Sequence, residues 1–164
     1  MHLVRPEPPQ LERAVVPRRD PELVLIARTD ANAVTGFDDA LDRGQAYREA
    51  GADVVFIEAP ASIEEAATIG HAFGGTPLLY NWVEPGKSPM LSLDDIHRLG
   101  FRLVIFPVSL LFAATHAMLD VLDRFRRGET SAPAAERMVT FRQFTTLIGL
   151  PAIQALEQRY GPVG

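Results

Sequence analysis

The chain has 164 residues, of which 47% are hydrophobic and 23% are charged, a composition typical of one globular domain. It contains no cysteine, which excludes disulfides, thiolate metal sites and a cysteine nucleophile on this chain. A formal net charge of -5 disfavours binding to the phosphates of nucleic acid or to anionic membrane surfaces. We therefore expect neither a nucleic-acid partner nor a membrane partner.

Residues 1–20 are predicted to be a leader or linker. Five prolines fall within residues 1–21, and this spacing is incompatible with one regular helix or a central strand. The segment also lacks the continuous apolar stretch of a signal peptide. The longest apolar region, 103–119, is interrupted by Pro107 and is shorter than the roughly 20 residues of a bilayer span. These features predict a cytoplasmic protein.

A strand followed by a helix recurs four times within residues 21–130. Thr35, Ser62 and Ser92 each precede an acidic residue by three positions, which predicts helix starts at these points. Consecutive βα units predict a parallel sheet with right-handed crossovers. A complete (β/α)8 barrel needs roughly 250 residues, so the chain can form a small open sheet or about half of a barrel. The predicted strands are residues 23–27, 54–57, 77–80 and 103–106.

The last part of the chain is predicted to be helical. A helix from about residue 109 to 127 follows the fourth strand, and two further helical stretches cover residues 133–148 and 151–160. We therefore treat residues 131–164 as a set of C-terminal helices.

Polar side chains come at the ends of the predicted strands, where parallel α/β folds bind their ligands. Arg28, Glu58 and Asn81 follow the first three strands, and Glu84 and Ser109 lie slightly further along the chain. A guanidinium suits a carboxylate or an enolate oxygen, and an amide offers both a donor and an acceptor. The pattern predicts a site for a small oxygen-rich anion.

Each of these residues also has a purely structural interpretation. Arg28 can form an ion pair with Asp30 that holds a turn. Glu58 can be a solvated loop residue, and Asn81 can serve as a turn residue. The histidines are scattered without a metal-binding pair, and no complete nucleotide-binding glycine motif is present.

The order of several motifs resembles the isocitrate lyase/phosphoenolpyruvate mutase superfamily. The similarity extends from about residue 19 to 130, and the chain resembles the 2-methylisocitrate lyase and carboxyvinyl-carboxyphosphonate phosphorylmutase types. The motifs that carry it are residues 19–31, 46–53 and 56–58, Asn81 with 86–89, and 106–109.

This resemblance implies the last four βα units of a TIM barrel whose Mg²⁺ stabilises an enolate-like 2-oxo acid. The lyases of the family break a C–C bond, whereas its mutases act at a P–C bond. By resemblance, Arg28 binds a carboxylate or oxyanion of the substrate, Glu58 orients and polarises it, and Asn81 contacts its distal carboxylate. Ser88 is a further expected contact, in the loop that follows the family's seventh strand. A small carboxylate is the implied substrate.

The chain departs from the family pattern in its catalytic groups. The family binds Mg²⁺ through an Asp-x-Asp pair on earlier strands, and its lyases use a cysteine in a mobile loop. Neither motif occurs in the 164 residues. We therefore name no catalytic or metal-binding residue, and we expect both functions to come from residues upstream of Met1 or from another molecule. The chain alone is expected to be catalytically impaired.

Three functions remain open at this point. The first is Mg²⁺-dependent C–C lyase chemistry on a 2-oxo or hydroxy polycarboxylate, and the second is mutase-type chemistry. The third is a non-catalytic remnant that binds a carboxylate or a full-length paralogue. A half-barrel leaves strand edges and apolar faces uncovered, so we expect a homo-oligomer. The family resemblance implies that the C-terminal helices are exchanged between its subunits.

Overall fold

The computed structural model describes Asp20 and residues 22–161. Apart from Asp20, the predicted leader lies outside the described residues. The chain divides into two compact units, with the division between Phe112 and Ala113.

The first unit alternates strands and helices, as predicted. A short 3₁₀ turn (Ala31–Ala33) follows the first strand, and the long helix α4 begins within this unit. The strands are β1 (Ile26–Thr29), β2 (Val54–Ile57), β3 (Leu79–Asn81) and β4 (Leu103–Ile105), and the helices are α1 (Phe37–Glu49), α2 (Ile63–Ala72), α3 (Leu93–Arg98) and α4 (Ser109–Arg126).

The strands form two parallel pairs. Ile26 of β1 lies opposite Val54 of β2, and Leu79 of β3 lies opposite Leu103 of β4. One parallel bridge, between Val55 and Leu78, connects the two pairs. The parallel α/β arrangement predicted from the sequence is therefore confirmed, while the described residues form two small sheets and no closed barrel.

The core lies between the strands and the helices. Alternate residues of a strand point to opposite faces, so Val55 and Ile57 share one face of β2. On this face they pack with Tyr80 of β3, Ile69 of α2 and Ile96 of α3, all of them buried. Tyr80 meets Phe101 edge to face, with ring centroids 5.1 Å apart. Burial of this apolar surface is the main stabilising contribution to the unit.

On the opposite face of the strands, the central side chains are buried and those at the edges are exposed. Val54, Phe56 and Leu79 form a small buried cluster there. At the two edges, Ile26 is 50% exposed and Ile105 is 38% exposed. The edges of this face therefore retain apolar surface in contact with solvent.

The start of α1 differs from the prediction. Thr35 does not cap the helix: the N-cap is Gly36, which has no side chain and a φ of 109°. The Thr35 hydroxyl donates instead to the Ala31 carbonyl at 3.3 Å and also bonds to the Asp39 carboxylate. The spacing of Thr35 before an acidic residue was therefore a misleading signal, because the preceding turn uses the hydroxyl.

The other two helix starts are confirmed. Ser62 accepts a hydrogen bond from the backbone N–H of Glu65 at 3.2 Å. Ser92 accepts one from the backbone N–H of Asp95 at 3.1 Å. Each serine thereby satisfies one of the N–H groups that the first turn of a helix leaves without a partner.

Two strands lie later in the chain than their apolar runs predict. The first apolar run is 23–27, whereas β1 begins at Ile26, because its partner β2 begins only at Val54. The third apolar run is 77–80, whereas β3 continues to Asn81. As a result, Arg28 and Asn81 lie inside strands. The alternation of side chains between the two faces of a sheet then determines the direction in which each of them points.

The second unit is helical, but the predicted stretch 133–148 is interrupted. It forms a 3₁₀ turn (Ala132–Arg137) and the helix α5 (Phe141–Leu147). Thr140 begins α5 with a capping box that involves Gln143, which explains the new start. The predicted last helix is confirmed as α6 (Leu150–Tyr160). Among the described residues, no helix has the length and apolar character needed to cross a bilayer.

Candidate functional site

Arg28, Glu58 and Asn81 come together at the carboxyl ends of β1, β2 and β3. The Arg28 Nη2 lies 3.1 Å from the Glu58 Oε2. On the other side of Glu58, the Asn81 Nδ2 donates to Oε1 at 3.0 Å. Glu58 therefore links the other two side chains, and the prediction that polar groups meet at one edge of the strands agrees with this geometry.

Asp30 is a fourth member of the cluster. The Arg28 Nε donates to its Oδ2 at 3.2 Å, and Nη2 donates to its Oδ1 at 2.7 Å. The hydrogen bond to Asp30 is the main influence that raises the pKa of Arg28 above its ordinary value, and the charge of Glu58 acts in the same direction. The structural interpretation of the Arg28–Asp30 pair is thus correct, but Arg28 also reaches the rest of the cluster.

Exposure distinguishes the two acidic partners of Arg28. The side chains of Arg28 and Asp30 are 48% and 54% exposed, whereas that of Glu58 is 18% exposed. Water screens the outer ion pair, so it contributes little to stability. Glu58 is the more enclosed group, and its position depends more strongly on its neighbours.

Phe56 gives Arg28 a further contact on the same face. The guanidinium carbon lies 4.8 Å from the centre of the Phe56 ring, a cation–π arrangement. The register explains it, because Arg28 and Phe56 are directly paired across β1 and β2. Arg28 is thereby held by Asp30, Glu58 and Phe56 together, and these contacts orient its remaining N–H groups.

Buried oxygen atoms without a hydrogen-bond partner occur near the strand ends. Within the described part of the chain, these include the Asn81 Oδ1, the Glu84 Oε2 and the Ser109 Oγ. An acceptor buried in this way is costly unless a ligand or water satisfies it. For Asn81 the geometry assigns the acceptor role, because its Nδ2 already faces the Glu58 carboxylate.

Ser88 makes a different contact from the other predicted residues. Its hydroxyl interacts with the phenol of Tyr80, whose side chain belongs to the helix-facing core. Burial raises the pKa of Tyr80, and the Ser88 hydroxyl partly opposes this rise. The Tyr80 hydroxyl also donates to the Pro89 carbonyl at 2.7 Å, which anchors the loop after β3. A substrate contact of Ser88 stays a prediction.

A separate groove of about 470 Å³ lies in the second unit. Two of its lining residues, Asp120 and Arg137, form an ion pair of 2.6 Å, and His116 also lines it. Because these charges already neutralise each other, the groove suits a small carboxylate less well than the Arg28 cluster does. The apolar lining consists of Ala117, Met118, Val121, Leu122, Ala134 and Met138.

Comparison with known proteins identifies the family. The family model for phosphoenolpyruvate phosphomutase matches residues 10–126. The chain is also 39% identical to the 2,3-dimethylmalate lyase of Eubacterium barkeri over 151 residues, which cover 92% of this chain and 52% of that protein. The chain belongs to the phosphoenolpyruvate mutase/isocitrate lyase superfamily. The resemblance inferred from the sequence motifs is therefore confirmed.

Other superfamily members show the same partial coverage. A 2-methylisocitrate lyase of Aeropyrum pernix is 39% identical over 136 residues, which cover 83% of this chain and 43% of that protein. A solved structure of phosphonopyruvate hydrolase in complex with oxalate and Mg²⁺ has a TM-score of 0.78 and 28% identity, and the match covers 93% of this chain and 54% of that one. The chain thus spans about half the length of the relatives that it matches.

The described residues of this superfamily member do not by themselves fit a Mg²⁺ site. They contain no group of three or more histidine or acidic side chains that could hold a metal ion. The two acids of the cluster, Asp30 and Glu58, both pair with Arg28. The two carboxylates and the single guanidinium give the cluster a formal charge of -1. A bound anion therefore needs directed hydrogen bonds or an accompanying cation.

Sequence reasoning found the three central residues and the Asp30 partner of Arg28, but it missed the contact of Phe56 with Arg28, because Phe56 was predicted only as part of the strand 54–57. The strand register could have suggested Phe56, because the residue that pairs with Arg28 shares its face.

Proposed function

We propose that Arg28, Glu58 and Asn81 bind a small carboxylate substrate of a Mg²⁺-dependent C–C lyase. The observation that supports this most directly is the continuous contact from Arg28 through Glu58 to Asn81 at the strand ends. Arg28 supplies N–H donors for a carboxylate or oxyanion. Glu58 orients the substrate, and Asn81 contacts its distal end. Ser88 is proposed as a further contact at the substrate.

The names of two relatives support the proposed substrate class. These relatives are named as lyases of 2,3-dimethylmalate and of 2-methylisocitrate. We therefore propose a 2-oxo or hydroxy polycarboxylate as the substrate. Mutase-type chemistry is the alternative within the same superfamily, and the described residues are equally compatible with it.

We also propose that residues 21–130 form about half of a (β/α)8 barrel, followed by the C-terminal helices 131–164. The strands follow one another in chain order, and the chain covers about half of its relatives. The exposed Ile26 and Ile105 at the two edges suit further strands on either side. The Mg²⁺ ligands and the acid–base group of the reaction then lie outside these 164 residues, and the chain alone is impaired.

The binding part of this proposal can be tested with oxalate. We expect calorimetric titration to show binding, measured both with and without MgCl₂, and we expect Arg28→Ala to weaken it by about tenfold or more. The reason is that a hydrogen bond to a charged group contributes about 1.5–3 kcal/mol. Arg98→Ala is the control, because Arg98 is exposed and pairs with Asp95 within α3.

The outcomes separate binding from catalysis. Equal affinity of the wild type and Arg28→Ala would show that the Arg28 cluster is only structural. Binding without cleavage of 2-methylisocitrate or 2,3-dimethylmalate would support a chain that needs additional groups. Cleavage by the isolated chain at ordinary enzymatic rates would contradict the proposed impairment.

A further inference from the structure

We propose that Asn32 is a positioning residue that holds Glu58 in place by fixing the backbone of Ala59. This inference rests on the proposed function, because Glu58 matters for binding only if the Arg28 cluster is the site. Asn32 belongs to the 3₁₀ turn after β1, whereas Ala59 follows β2. The contact therefore joins two loops at the carboxyl ends of neighbouring strands.

The contact is formed by the Asn32 side-chain amide. Its Nδ2 donates to the Ala59 carbonyl at 3.0 Å and to the Glu65 Oε2 at 3.1 Å. The same Glu65 oxygen accepts from the backbone N–H of Ala61 at 2.7 Å. Asn32 and Glu65 thus bind the segment 59–61 at both of its ends.

Ala59 has an unusual backbone conformation. It is the one residue other than glycine with a positive φ, 55°, within the described part of the chain. An L side chain rarely adopts this left-handed conformation, and surrounding contacts must maintain it. Residues of this kind concentrate at functional sites, and Ala59 directly follows Glu58.

Hydrogen bonds hold the backbone at Glu58 and at the next residue, Ala59. Its own N–H donates to the Thr29 carbonyl at 3.0 Å, which continues the ladder between β1 and β2. On its other side, the direction of the chain is set by Ala59. If Ala59 relaxes to an ordinary φ, the carboxylate of Glu58 moves relative to Arg28 and Asn81, because the ladder holds only one of its two sides.

The test uses Asn32→Ala together with Ala59→Gly. Asn32→Ala releases the Ala59 carbonyl, and we expect oxalate affinity to fall by about fivefold to tenfold. Ala59→Gly alone should leave the affinity unchanged, since glycine adopts a positive φ without strain. The double variant should regain most of the lost affinity, because the loop then keeps its conformation without the Asn32 contact. A merely structural role of Asn32 does not predict this rescue.

A second readout does not depend on ligand binding. The side-chain amide resonance of Asn81 in ¹H–¹⁵N spectra reports its hydrogen bond to Glu58. It should shift in Asn32→Ala and return in the double variant. Gln45→Ala is the matched control, because Gln45 Nε2 also donates to a distant carbonyl, that of Ala72, at 3.0 Å. Gln45→Ala should leave the chemical shift of the Asn81 side-chain amide unchanged.

The outcomes distinguish this inference from the proposed function. If the wild type fails to bind oxalate but the Asn81 resonance behaves as described, the proposed function fails and the positioning role stands. If Asn32→Ala changes neither the affinity nor the resonance, the positioning role is overturned. Should Asn32→Ala not fold, Asn32→Leu keeps the approximate size of the side chain and removes the donor without placing a second charge beside Glu65, and the same readouts apply.

Discussion

At the residue scale, Glu58 determines how the Asn81 amide is oriented. As the ion-pair partner of Arg28, Glu58 accepts hydrogen bonds, so the nitrogen of the amide must face it. The amide oxygen is then buried without a hydrogen-bond partner among the described residues. This orientation makes the site sensitive to any change that replaces the donor with a second acceptor.

Asn81→Asp tests this arrangement without changing the size of the side chain. It places a second carboxylate within hydrogen-bond distance of Glu58, and the like charge should raise the pKa of the introduced carboxyl. A group with a raised pKa in the folded state contributes stability at low pH that is lost as the pH rises. We therefore expect the variant to be about 1–3 kcal/mol less stable relative to wild type at neutral pH than at about pH 4. Urea unfolding at the two pH values measures this difference.

The sequence predicted which residues meet at the site, because strand ends in parallel α/β folds converge. It could not predict how they meet. The direction of the Asn81 amide, the stacking of Arg28 on Phe56 and the contact of Ser88 with Tyr80 all depend on side-chain rotamers and on register. Asn32 gave no recognisable pattern, because its partners Ala59 and Glu65 lie about thirty residues away in the chain.

At the element scale, α2 and α3 approach closely through glycine. A Cβ atom at Gly70 would overlap the carbonyl oxygen of Leu99, and Gly100 lies next to the same point with a φ of 101°. Because the neighbour is backbone, it cannot move aside as a flexible side chain does. The close approach explains why a residue with low helix propensity occurs inside α2.

Gly70→Ala should therefore destabilise the protein. The gain in helix propensity is about 1 kcal/mol, whereas overpacking against a fixed backbone costs typically about 1–3 kcal/mol, with larger values for severe overlap. We expect a net loss of free energy of unfolding, measured by urea denaturation. Gly74→Ala is the control, since a Cβ there would be 3.9 Å from the nearest atom, the His71 carbonyl oxygen. A stabilising effect of Gly70→Ala would show that the two helices separate without cost.

Tyr80→Phe tests the anchor of the loop after β3. The variant loses the hydrogen bond to the Pro89 carbonyl and should be about 1 kcal/mol less stable at neutral pH. Burial raises the pKa of Tyr80, so its contribution is present below the ordinary pKa of tyrosine and is lost as the pH rises through the folded value. The difference in stability between wild type and variant should therefore shrink in alkaline solution. Chemical unfolding at neutral and alkaline pH measures it, and a constant difference would contradict the assignment.

The order of elements was predictable because the apolar runs and two of the helix starts have local signals. Ser62 and Ser92 cap the predicted helices, and all four strands lie near their apolar runs. The errors arise where a competing local hydrogen bond replaces the expected one. The Thr35 hydroxyl bonds to the Ala31 carbonyl four residues earlier, and the capping box of Thr140 and Gln143 begins a new helix within the stretch predicted to be continuous.

At the scale of the whole molecule, the second unit exposes large apolar side chains. Phe141 and Leu147 of α5 are each 82% exposed, and Tyr160 of α6 is 72% exposed. Isolated apolar residues on a surface are common, but several on short neighbouring helices favour association. The sequence predicted helices in residues 131–164 but could not predict which of their side chains stay exposed. The homo-oligomeric state stays a prediction.

The double variant Phe141→Glu/Leu147→Glu tests this prediction. We expect light scattering after size-exclusion chromatography to give a mass above that of one chain for the wild type and a lower mass for the variant. Removal of the apolar area should weaken association. Arg142→Glu is the control, because it alters the net charge by the same amount while removing no apolar side chain from α5. A monomeric wild type would contradict the expected homo-oligomer.

The pairing of each strand with the next one in the chain has a consequence for synthesis on the ribosome. Partners such as Leu79 and Leu103 are separated by only 24 positions, so each new strand emerges soon after the strand that it will join. Folding can therefore proceed from the amino end while translation continues, with every completed unit serving as the template for the one that follows.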